Sequence, residues 1–557
     1  MINFTALKPR IEAILRDYVA TRTDSDSGHE LSAGRFFSSW AAGVPYLREH
    51  PENWGLFPIP GDPRERVVPW CLLRGNGART LVMIHHCDCV ETSGYGVLEP
   101  LCLDPDALEA AFRGGAMALP ADARADLEAG GWLFGRGVCD MKGGASVQLA
   151  LFEQYSADSD FAGNILILAV PDEENLSAGM RGALHLLADL KQTHGLEYAM
   201  MLNCEPHQRE EDPLRGTLYD GSIGKVLPMV YVRGKVAHVG QVFDGLNPVG
   251  LLGEIVSRTE VNPFFIEKVG NTVCPPPTWL YGKDQKVVYD VSLPAAAVGC
   301  LSVLPLKLTP MEIMDALQNL CEAAFEATLT RMNDSYAAFC RKAERPVETL
   351  PWTPCVKTFS QIYTEAGRDG GDAFRTAWAE ASARALAGLL DKTMTVISAV
   401  TALIETALLH RRDQQPMVVL ALAPPYYPSA NNSLLADDIS AAADAAMADL
   451  VTFGESLGVR YDIQNYFVQI SDLSYAMLAA GEVDIAYIEG NMPLWGHGYD
   501  IPLGLIREMS MPVCNVGPWG KDLHRFTERV SRHDLLEITP QMVDFMVGRV
   551  LKESTRK

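Results

Sequence analysis

The sequence predicts an α/β fold: a helix-covered, mostly parallel mixed sheet, interrupted by an inserted α+β domain. Short apolar runs alternate with amphipathic helical segments through the first 220 residues, and this alternation is typical of βαβ units. From about Gly221 the pattern changes to strands with one exposed face. At 557 residues the chain is also too long for one ordinary hydrophobic core, so at least two domains are expected.

Residues 1–220 are predicted to form the first part of the larger domain. Buried strands are expected at 80–85, 164–170 and 198–202, where the sequence is short and apolar. Segments 106–112 and 141–155 have helix character. Strands buried on both faces are typical of a parallel sheet between two layers of helices.

Residues 221–345 are predicted to form the inserted domain. KVLPMVYVRGKVAH, at 225–238, alternates like a strand with one exposed face, and 247–260 has helical spacing. Further strands are expected at 287–291 and 297–304, followed by a long helix from Pro310.

Residues 346–557 are predicted to complete the larger domain. The stretch 345–412 is mostly helical and forms an extra segment, and strands are expected at 416–422 and 510–516. Internal repeats and low-complexity tracts are absent from the sequence.

Composition excludes several classes of partner. The net charge of −23 disfavours nucleic acid and anionic membrane surfaces, because both repel an acidic protein. The N-terminal segment lacks the apolar core of a signal peptide, and the most apolar helical stretch, 393–409, is too short and too charged for a membrane span. Twelve cysteines without regular spacing indicate reduced thiols, and therefore a cytoplasmic location.

Acidic residues and histidines follow the predicted strands of the larger domain. Three of the acids are consecutive, at the end of the apolar run ILILAV, and adjacent carboxylates repel one another unless a cation neutralises them. Because the carboxyl ends of parallel strands form the ligand crevice of an α/β sheet, we expect these groups to converge. They are His86, Asp88, Asp140, Glu173, Glu174, Glu205 and His524.

Two histidines and several carboxylates suit zinc or a neighbouring divalent metal. Two ions about 3.5–4 Å apart need a bridging carboxylate, and Asp140, at the start of a helix, is the best candidate. Asp88 has the reach to hydrogen-bond the second ring nitrogen of His86. Of the neighbouring glutamates, one can bind metal while the other acts as general base. Each group also has an ordinary structural explanation, as a strand-end histidine, a helix cap or a solvated loop.

Cysteines beside these acids offer a rival thiolate site. Zinc-binding cysteines normally come as CxxC pairs, and the sequence contains none. The carboxylate and histidine site is therefore favoured over one built from Cys87, Cys89, Cys139 and Cys204.

The ordered set HxD, GVCDMKGG, DEE, CEP and a late histidine resembles the M20 family of co-catalytic zinc peptidases and amidohydrolases. The segments PPPTWLYGKD and APPYYP are similar to its arginine-utilisation RocB-like branch, and the resemblance spans nearly the whole chain. It implies hydrolysis of an amide bond, in a peptide or N-acyl amino acid, by a metal-activated water. It also implies two divalent ions (zinc, with cobalt or manganese as alternatives), a lid role for the inserted dimerisation-type domain, and a homodimer.

The resemblance implies a metal-binding role for five residues. Asp140 would bridge the two ions, and His86 and Glu205 would bind opposite ones. Glu174 would complete one shell and His524 the other. His497, in LWGHGYD, is an alternative to His524, whose segment is only loosely similar to the usual ending of the family.

The resemblance also implies three roles outside the metal shells. Glu173 would be the general acid/base, and Asp88 would orient His86. His238, in KVAHVG, is similar to a lid histidine that helps to hold the oxyanion, in some relatives from a partner subunit. Many relatives also carry a lid arginine that grips the substrate carboxylate, but the corresponding stretch here, AAAVGCLSVLPLK, contains no arginine.

Alternatives to a peptidase remain open from the sequence. One is a deacylase or carbamoyl hydrolase in arginine or related amino-acid catabolism, and another is a metal-binding protein without catalysis. A cationic substrate would need unpaired lid acids, for which Asp244 and Glu254 are candidates.

Overall fold

The computed structural model describes residues 2–209, 212, 214–478 and 484–552. In these ranges the strands form an eight-stranded, a five-stranded and a three-stranded sheet and two short pairs. The strands are β1 (Trp54–Pro58), β2 (Val67–Arg74), β3 (Asn76–His86), β4 (Trp132–Phe134), β5 (Ala162–Val170), β6 (Glu197–Asn203), β7 (Arg215–Tyr219), β8 (Gly221–Ser222), β9 (Lys225–Arg233), β10 (Lys268–Val269), β11 (Thr272–Val273), β12 (Thr278–Asp284), β13 (Ala296–Ser302), β14 (Val356–Thr358), β15 (Met417–Tyr427), β16 (Ala430–Asn431), β17 (Arg460–Gln464), β18 (Val513–Asn515), β19 (Gly520–Lys521) and β20 (Arg529–Ser531).

Helices cover both large sheets, and those predicted at 106–112, 141–155, 247–260 and from Pro310 are confirmed. In chain order the helices are α1 (Phe4–Ala20), α2 (Ser32–Gly43), α3 (Pro45–Glu49), α4 (Pro105–Arg113), α5 (Ala121–Ala129), α6 (Lys142–Tyr155), α7 (Ala178–His194), α8 (Pro248–Thr259), α9 (Pro310–Lys342), α10 (Phe359–Leu390), α11 (Val396–Leu409), α12 (Asp437–Ser456), α13 (Ile485–Asn491), α14 (Leu503–Met509) and α15 (Thr539–Leu551).

The eight-stranded sheet has the order β1-β2-β5-β3-β6-β18-β7-β17. Its four central strands, β5, β3, β6 and β18, are parallel to one another. The outer strands β1 and β2 are antiparallel. The predicted mostly parallel mixed sheet is therefore confirmed, and the expected buried runs lie in β3, β5 and β6.

The eight-stranded sheet is buried on both faces. Leu81 and Met83 of β3 belong to one hydrophobic core, together with residues of α1, α6, α12 and α15. The alternating Val82 and Ile84 belong to another core, together with residues of α7. Because successive side chains of a strand point to opposite faces, each face has its own helical cover.

The five-stranded sheet has the order β12-β13-β9-β15-β14. Strands β9, β12 and β13 come from the predicted inserted domain, but β14 and β15 come from the region that was assigned to the larger domain. Helices α10 and α11 pack against each other and contact β15. The boundaries 1–220, 221–345 and 346–557 stay predictions, and the pairing favours a second unit that extends over 225–427.

The two connections between the large sheets run side by side. Strand β8 immediately precedes β9, and β16 follows β15 by three residues. These two short strands pair with each other, Ala430 opposite Ser222 and Asn431 opposite Gly221. The chain thus enters and leaves the 225–427 unit through two short strands that pair with each other.

The strand predicted at 287–291 is wrong. Val287 and Tyr289 are 96% and 91% exposed, and the segment has no partner strand. The ammonium of Lys286 donates to the carbonyl oxygens of Asp290 (3.0 Å) and Ser292 (2.7 Å). These bonds close the segment into a loop, so its alternating apolar residues project outward instead of pairing.

Two predictions concern the environment of the chain. No helix within the described ranges has the length and apolarity needed to span a bilayer. All twelve cysteines are free thiols, and the cytoplasmic location stays a prediction.

Gly144 marks a close approach between α6 and the end of β6. A Cβ at this position would lie 2.1 Å from the carbonyl oxygen of Cys204, so Gly144→Ala must displace backbone. We expect the free energy of unfolding to fall by roughly 1–3 kcal/mol, as for other overpacked sites. Gly253→Ala on α8, where a Cβ meets nothing within 4 Å, is the control. Denaturant titration would contradict the close approach if both variants matched the wild type.

Candidate metal centre

Side chains from three neighbouring strands meet at one edge of the eight-stranded sheet. His86 is the last residue of β3, Glu173 and Glu174 follow β5 by three and four residues, and Glu205 follows β6 by two. Strands β5, β3 and β6 are adjacent and parallel, so their carboxyl ends lie at the same edge. The expected convergence of these four residues is observed.

Asp140 and His524 reach the same place from the three-stranded sheet. Asp140 lies between β4 and α6, and His524 lies in the connection from β19 to β20. These three strands pair with one another in the order β19-β20-β4. Asp140 therefore follows a strand of the three-stranded sheet, not of the eight-stranded one, and still reaches the cluster.

Among the described residues, two of the three groups of potential metal ligands share one carboxylate. His86 Nε2 lies 2.9 Å from Asp140 Oδ1 and 3.7 Å from Glu205 Oε1. His524 Nε2 lies 3.2 Å from Asp140 Oδ2 and 3.3 Å from Glu174 Oε2. In each group the three potential ligand atoms lie within 4.8 Å of one another. Asp140 thus offers one oxygen to each of two adjacent sites.

The observed grouping corrects the one implied by the resemblance. His86 and Glu205 lie on the same side of Asp140, not on opposite sides. Strand β3, which carries His86, has both β5 and β6 as neighbours, so strand order alone does not separate Glu205 from Glu174. Glu174 and His524 lie together on the other side.

The donor set fits divalent cations. Atoms bound to a tetrahedral zinc at about 2.0–2.2 Å lie roughly 3.3–3.6 Å apart, which is close to the separations observed here. Burial raises the pKa of Glu205 well above its usual value and also raises that of Glu174, and Glu174 Oε1 is buried without a hydrogen-bond partner. The hydrogen bonds to Asp140 and Glu174 raise the pKa of His524 to about 10. These closely spaced carboxylates repel one another when they are ionised, and a bound cation would remove that repulsion.

The orientation of His86 depends on the backbone of Asp88. His86 Nδ1 lies 3.0 Å from the carbonyl oxygen of Asp88 and 3.6 Å from its carboxylate. We therefore assign the ring proton to Nδ1, where it is donated to the carbonyl, which leaves Nε2 free to bind a cation. The expected orienting role of the Asp88 carboxylate stays a prediction, and the carbonyl is the nearer acceptor.

The carboxylate of Asp88 holds the two glutamates instead. It accepts the backbone N–H groups of Glu173 (3.2 Å) and Glu174 (3.3 Å) and the hydroxyl of Ser25 (2.6 Å). Asp88 is fully buried. One side chain therefore fixes the loop from which both glutamates project.

A buried ion pair fixes Asp140 and His524. Arg136 Nη1 lies 2.6 Å from Glu528 Oε2. The other oxygen of Glu528 accepts the backbone N–H of Asp140 (3.3 Å), and Arg136 donates to the carbonyl oxygen of His524 (3.1 Å). Neither residue of this pair was predicted from the sequence, although Arg136 lies in GRGVCDMKGG and Glu528 lies four residues after His524.

Asp472 is a further acid that the sequence analysis missed. It is 2% exposed, and burial raises its pKa to about 7, with His86 and Asp88 among the charges that act on it. It lies in the segment SDLSY, which matches no motif. No signal in the sequence could have found it.

Two histidines singled out in the sequence lie outside the cluster. His238 is exposed in the second unit, where its Nδ1 accepts the N–H of Gly240 at 3.1 Å. His497 accepts a hydrogen bond from the indole of Trp378 on α10 at 3.3 Å. Among the described residues, neither shares a group of potential metal ligands.

The rival thiolate site is not formed. The four cysteines near the acids are buried, and within the described part of the chain no cysteine belongs to a group of potential metal ligands. Of the candidate lid acids, Glu254 is paired with Arg258 and Arg331.

A cavity of about 480 Å³ opens over the cluster. This volume suits a small molecule. The lining is polar on the cluster side, and Phe467, Ile470 and Leu523 contribute the apolar part. The cavity therefore brings a small molecule next to Asp140, Glu173, Glu174, Glu205 and His524.

Sequence comparisons identify relatives over the whole chain. The profile of Peptidase family M20/M25/M40 matches residues 111–454. Uncharacterized protein YqjN of Bacillus subtilis (strain 168) is 31% identical over 553 residues, which cover 98% of this chain and 97% of YqjN. Protein RocB of the same organism is 28% identical over 546 residues, which cover 96% of this chain and 94% of RocB.

A solved structure shares the architecture. Aminopeptidase PepT from Bacillus cereus ATCC 10987 aligns with a TM-score of 0.51 and 11% identity, over 98% of this chain and 99% of PepT. At this identity the likeness concerns the fold alone.

The shared carboxylate predicts how ion content depends on each ligand. Asp140→Ala is expected to abolish binding of both ions, whereas His524→Ala should reduce bound zinc from two equivalents to one, because only the second group loses a ligand. His497→Ala is the matched control and should keep two. Mass spectrometry of dialysed, zinc-loaded protein measures the content, and two equivalents in the Asp140 variant would contradict the bridge.

Proposed function

The chain belongs to peptidase family M20/M25/M40 and is a metallohydrolase, and from this premise we propose that it hydrolyses an amide bond of a peptide or N-acyl amino acid. The proposed centre holds two divalent ions, zinc or alternatively cobalt or manganese. His86, Asp140 and Glu205 would hold one ion, and Asp140, Glu174 and His524 the other. When bound, such ions polarise a carbonyl group and lower the pKa of a water.

The observation that carries the proposal is a free glutamate beside a shared carboxylate. Glu173 lies next to His86 and Glu174, within 4.8 Å between their potential ligand atoms, but it belongs to neither group that contains Asp140. Burial raises the pKa of Glu173 well above its usual value. An acid that is not needed to hold a cation is available to move protons.

Glu173 is proposed to act as general base and then as general acid. Its carboxylate takes a proton from water as the water oxygen adds to the carbonyl carbon. It then gives that proton to the nitrogen as the C–N bond breaks, which leaves a carboxylic acid and an amine, and the acid then loses its remaining proton. Asp88 holds the backbone N–H of Glu173, and the hydroxyl of Tyr427 donates to its carbonyl oxygen at 3.4 Å. Hydrogen bonds thus fix the backbone of Glu173 at both its N–H group and its carbonyl group.

A substrate screen separates the alternatives. We expect hydrolysis of at least one class among dipeptides, N-acetyl amino acids and N-carbamoyl amino acids, in the presence of zinc, cobalt or manganese. Preference for the acyl or carbamoyl compounds would favour the deacylase or carbamoyl hydrolase of amino-acid catabolism over a peptidase. Ion binding without turnover of any class would favour a metal-binding protein without catalysis.

Glu173→Gln tests the general base. The variant should keep its fold and two equivalents of zinc but lose about 10²–10⁴-fold in kcat, which is the usual contribution of general acid–base catalysis. Glu109→Gln, at a half-buried position of α4 where the carboxylate pairs with Arg113, is the matched control and should retain full activity. Undiminished kcat in the Glu173 variant would refute this role.

A homodimer is proposed to give His238 its role. In one chain His238 is exposed and lies beside an apolar loop, since the N–H of Val239 donates to the carbonyl oxygen of Val291 at 2.9 Å. In the same loop Val288 and Tyr289 are 71% and 91% exposed. Exposed apolar residues clustered in this way are typical of interaction surfaces. A second copy bound there would cover the loop and could place His238 at the partner's centre to stabilise the oxyanion.

Negative charge introduced into this loop by substitution is expected to dissociate the proposed dimer. The double variant Val288→Asp, Tyr289→Asp should be monomeric by light scattering and should lose activity in parallel, because His238 would no longer reach the partner. Val97→Asp, at a position 81% exposed in the larger unit, should leave both unchanged. A wild-type monomer with full activity would refute the dimer.

A further inference from the structure

A second cavity lies between the extra helices and the loop that carries Glu173. Its volume is about 500 Å³, which suits a small molecule. Its walls come from both units of the chain, since residues 386–396 belong to the 225–427 unit and residues 59–66 and 172–181 belong to the larger one. None of its lining residues lines the cavity over the cluster. It is therefore separate from the candidate metal centre.

The wall that belongs to the extra helices is apolar. Half-buried side chains at the end of α10 and in the turn to α11 form it: Leu386, Leu389, Leu390, Met394 and Val396. Ile59 and Leu176 add apolar surface to the wall of the larger unit. Apolar side chains that line an open cavity stay in contact with water, and the apolar part of a ligand would remove that contact.

Two cations that line this cavity share one carboxylate. Arg64 Nη2 lies 2.5 Å from Asp26 Oδ1, and Lys392 Nζ lies 3.0 Å from Asp26 Oδ2. Among the described residues, neither cation contacts a second carboxylate. The side chain of Lys392 is 61% exposed, so this end of the cavity opens to solvent. One positive charge at the opening is thus left without a counter-ion.

The other charged groups of the cavity are matched with one another. Asp62 forms two hydrogen bonds with the guanidinium of Arg66 (2.9 and 3.0 Å). Asp172 also contacts Arg66, at 2.7 Å, and Arg181 pairs with Asp500 at 3.5 Å. The charge that a ligand should carry is therefore set at the opening, where the cations outnumber the acid.

We propose that the second cavity binds a small organic anion, a carboxylate with an apolar body. Its carboxylate would lie between Arg64 and Lys392, and its body would lie against Leu386 and Leu389. Charge-assisted hydrogen bonds to the two cations would fix the head group. Burial of the apolar body would supply most of the affinity. The proposal does not depend on the proposed amide hydrolysis.

The position of the second cavity gives its ligand access to the loop of the candidate base. Asp172 and Ser177, on either side of Glu173 and Glu174, have φ angles of +71° and +51°, which are unfavourable for residues with a Cβ. The contact of Asp172 with Arg66 helps to hold this backbone. A ligand that contacts both walls would favour the arrangement in which α10 lies this close to the loop.

Calorimetry with three probes tests the chemistry of the ligand. Zinc-loaded wild-type protein should bind one equivalent of hexanoate. Hexanamide, which lacks the charge, should bind about 10-fold more weakly, as expected for a lost charge-assisted hydrogen bond. Acetate, which is four carbons shorter, should bind roughly 100-fold more weakly. Hydrogen exchange should slow in both 172–181 and 386–396 when hexanoate is added.

Variants of α10 and its following turn test the location. Lys392→Gln, at an exposed position, should weaken binding of hexanoate about 10-fold but leave hexanamide unchanged. Leu389→Gln should weaken binding of both. Arg384→Gln, which removes an exposed cation of α10 that pairs with Glu380 outside the cavity, is the matched control and should bind hexanoate like the wild type.

Carboxylates also bind zinc, so the titration is repeated after EDTA treatment of the wild type, and the affinity for hexanoate should be unchanged. The proposal would be overturned by any of four results: no saturable binding of hexanoate, equal binding of hexanamide, full affinity in Lys392→Gln, or binding that disappears with the metal. Hydrolysis is tested separately by the substrate screen, so failure of either proposal leaves the other standing.

Discussion

The candidate centre depends on one carboxylate, that of Asp140, held between two imidazoles. Its two oxygens face His86, from the eight-stranded sheet, and His524, from the three-stranded sheet. Burial alone would raise the pKa of Asp140, but the hydrogen bonds to both histidines outweigh it and hold the pKa below its usual value. Because the partners come from different sheets, the centre exists only where the sheets are correctly docked. Within the three-stranded sheet, the buried pair of Arg136 and Glu528 joins the segments that carry Asp140 and His524, and breaking such a pair is costly.

Much of the fold could be predicted because strands that are buried in a sheet appear in the sequence as short apolar runs. The apolar runs that became β3, β5 and β6 are buried on both faces, and parallel strands place their ends at one edge, so His86, Glu173 and Glu205 could be expected together. The sequence contains no comparable signal for the pairing of strands that are distant along the chain. The apolar run in β15 suits either sheet, and the apolar residues of 287–291 suit a strand or an exposed loop equally well.

Details of the candidate site were harder to predict for a similar reason. Which potential ligands share a side of Asp140 depends on the positions of side chains after β3, β5 and β6, and these positions are a property of the complete fold. The backbone carbonyl of Asp88 as the nearest acceptor for His86 cannot be seen in a sequence of side chains. Burial determines the environments of the Glu528 and Asp472 carboxyl groups, and burial is a property of the complete fold.

The extra helices α10 and α11 also have a structural consequence. They help to close a second cavity of about 500 Å³, whose walls include Leu386 and Leu389 of α10 and, on the other side, Asp172 and Arg181. Asp172 immediately precedes Glu173 and pairs with Arg66 at 2.7 Å. The extra segment therefore faces the loop of the candidate base across this cavity.

The connections through β8 and β16 place the two ends of the 225–427 unit side by side. Tyr427 lies three residues before β16, and its hydroxyl donates to the carbonyl oxygen of Glu173. The far end of β9 lies about 26 Å from its first residue, at ~3.3 Å per residue, and His238 follows that end. A change in the tilt of the unit about its two ends would therefore displace His238 much further than Tyr427.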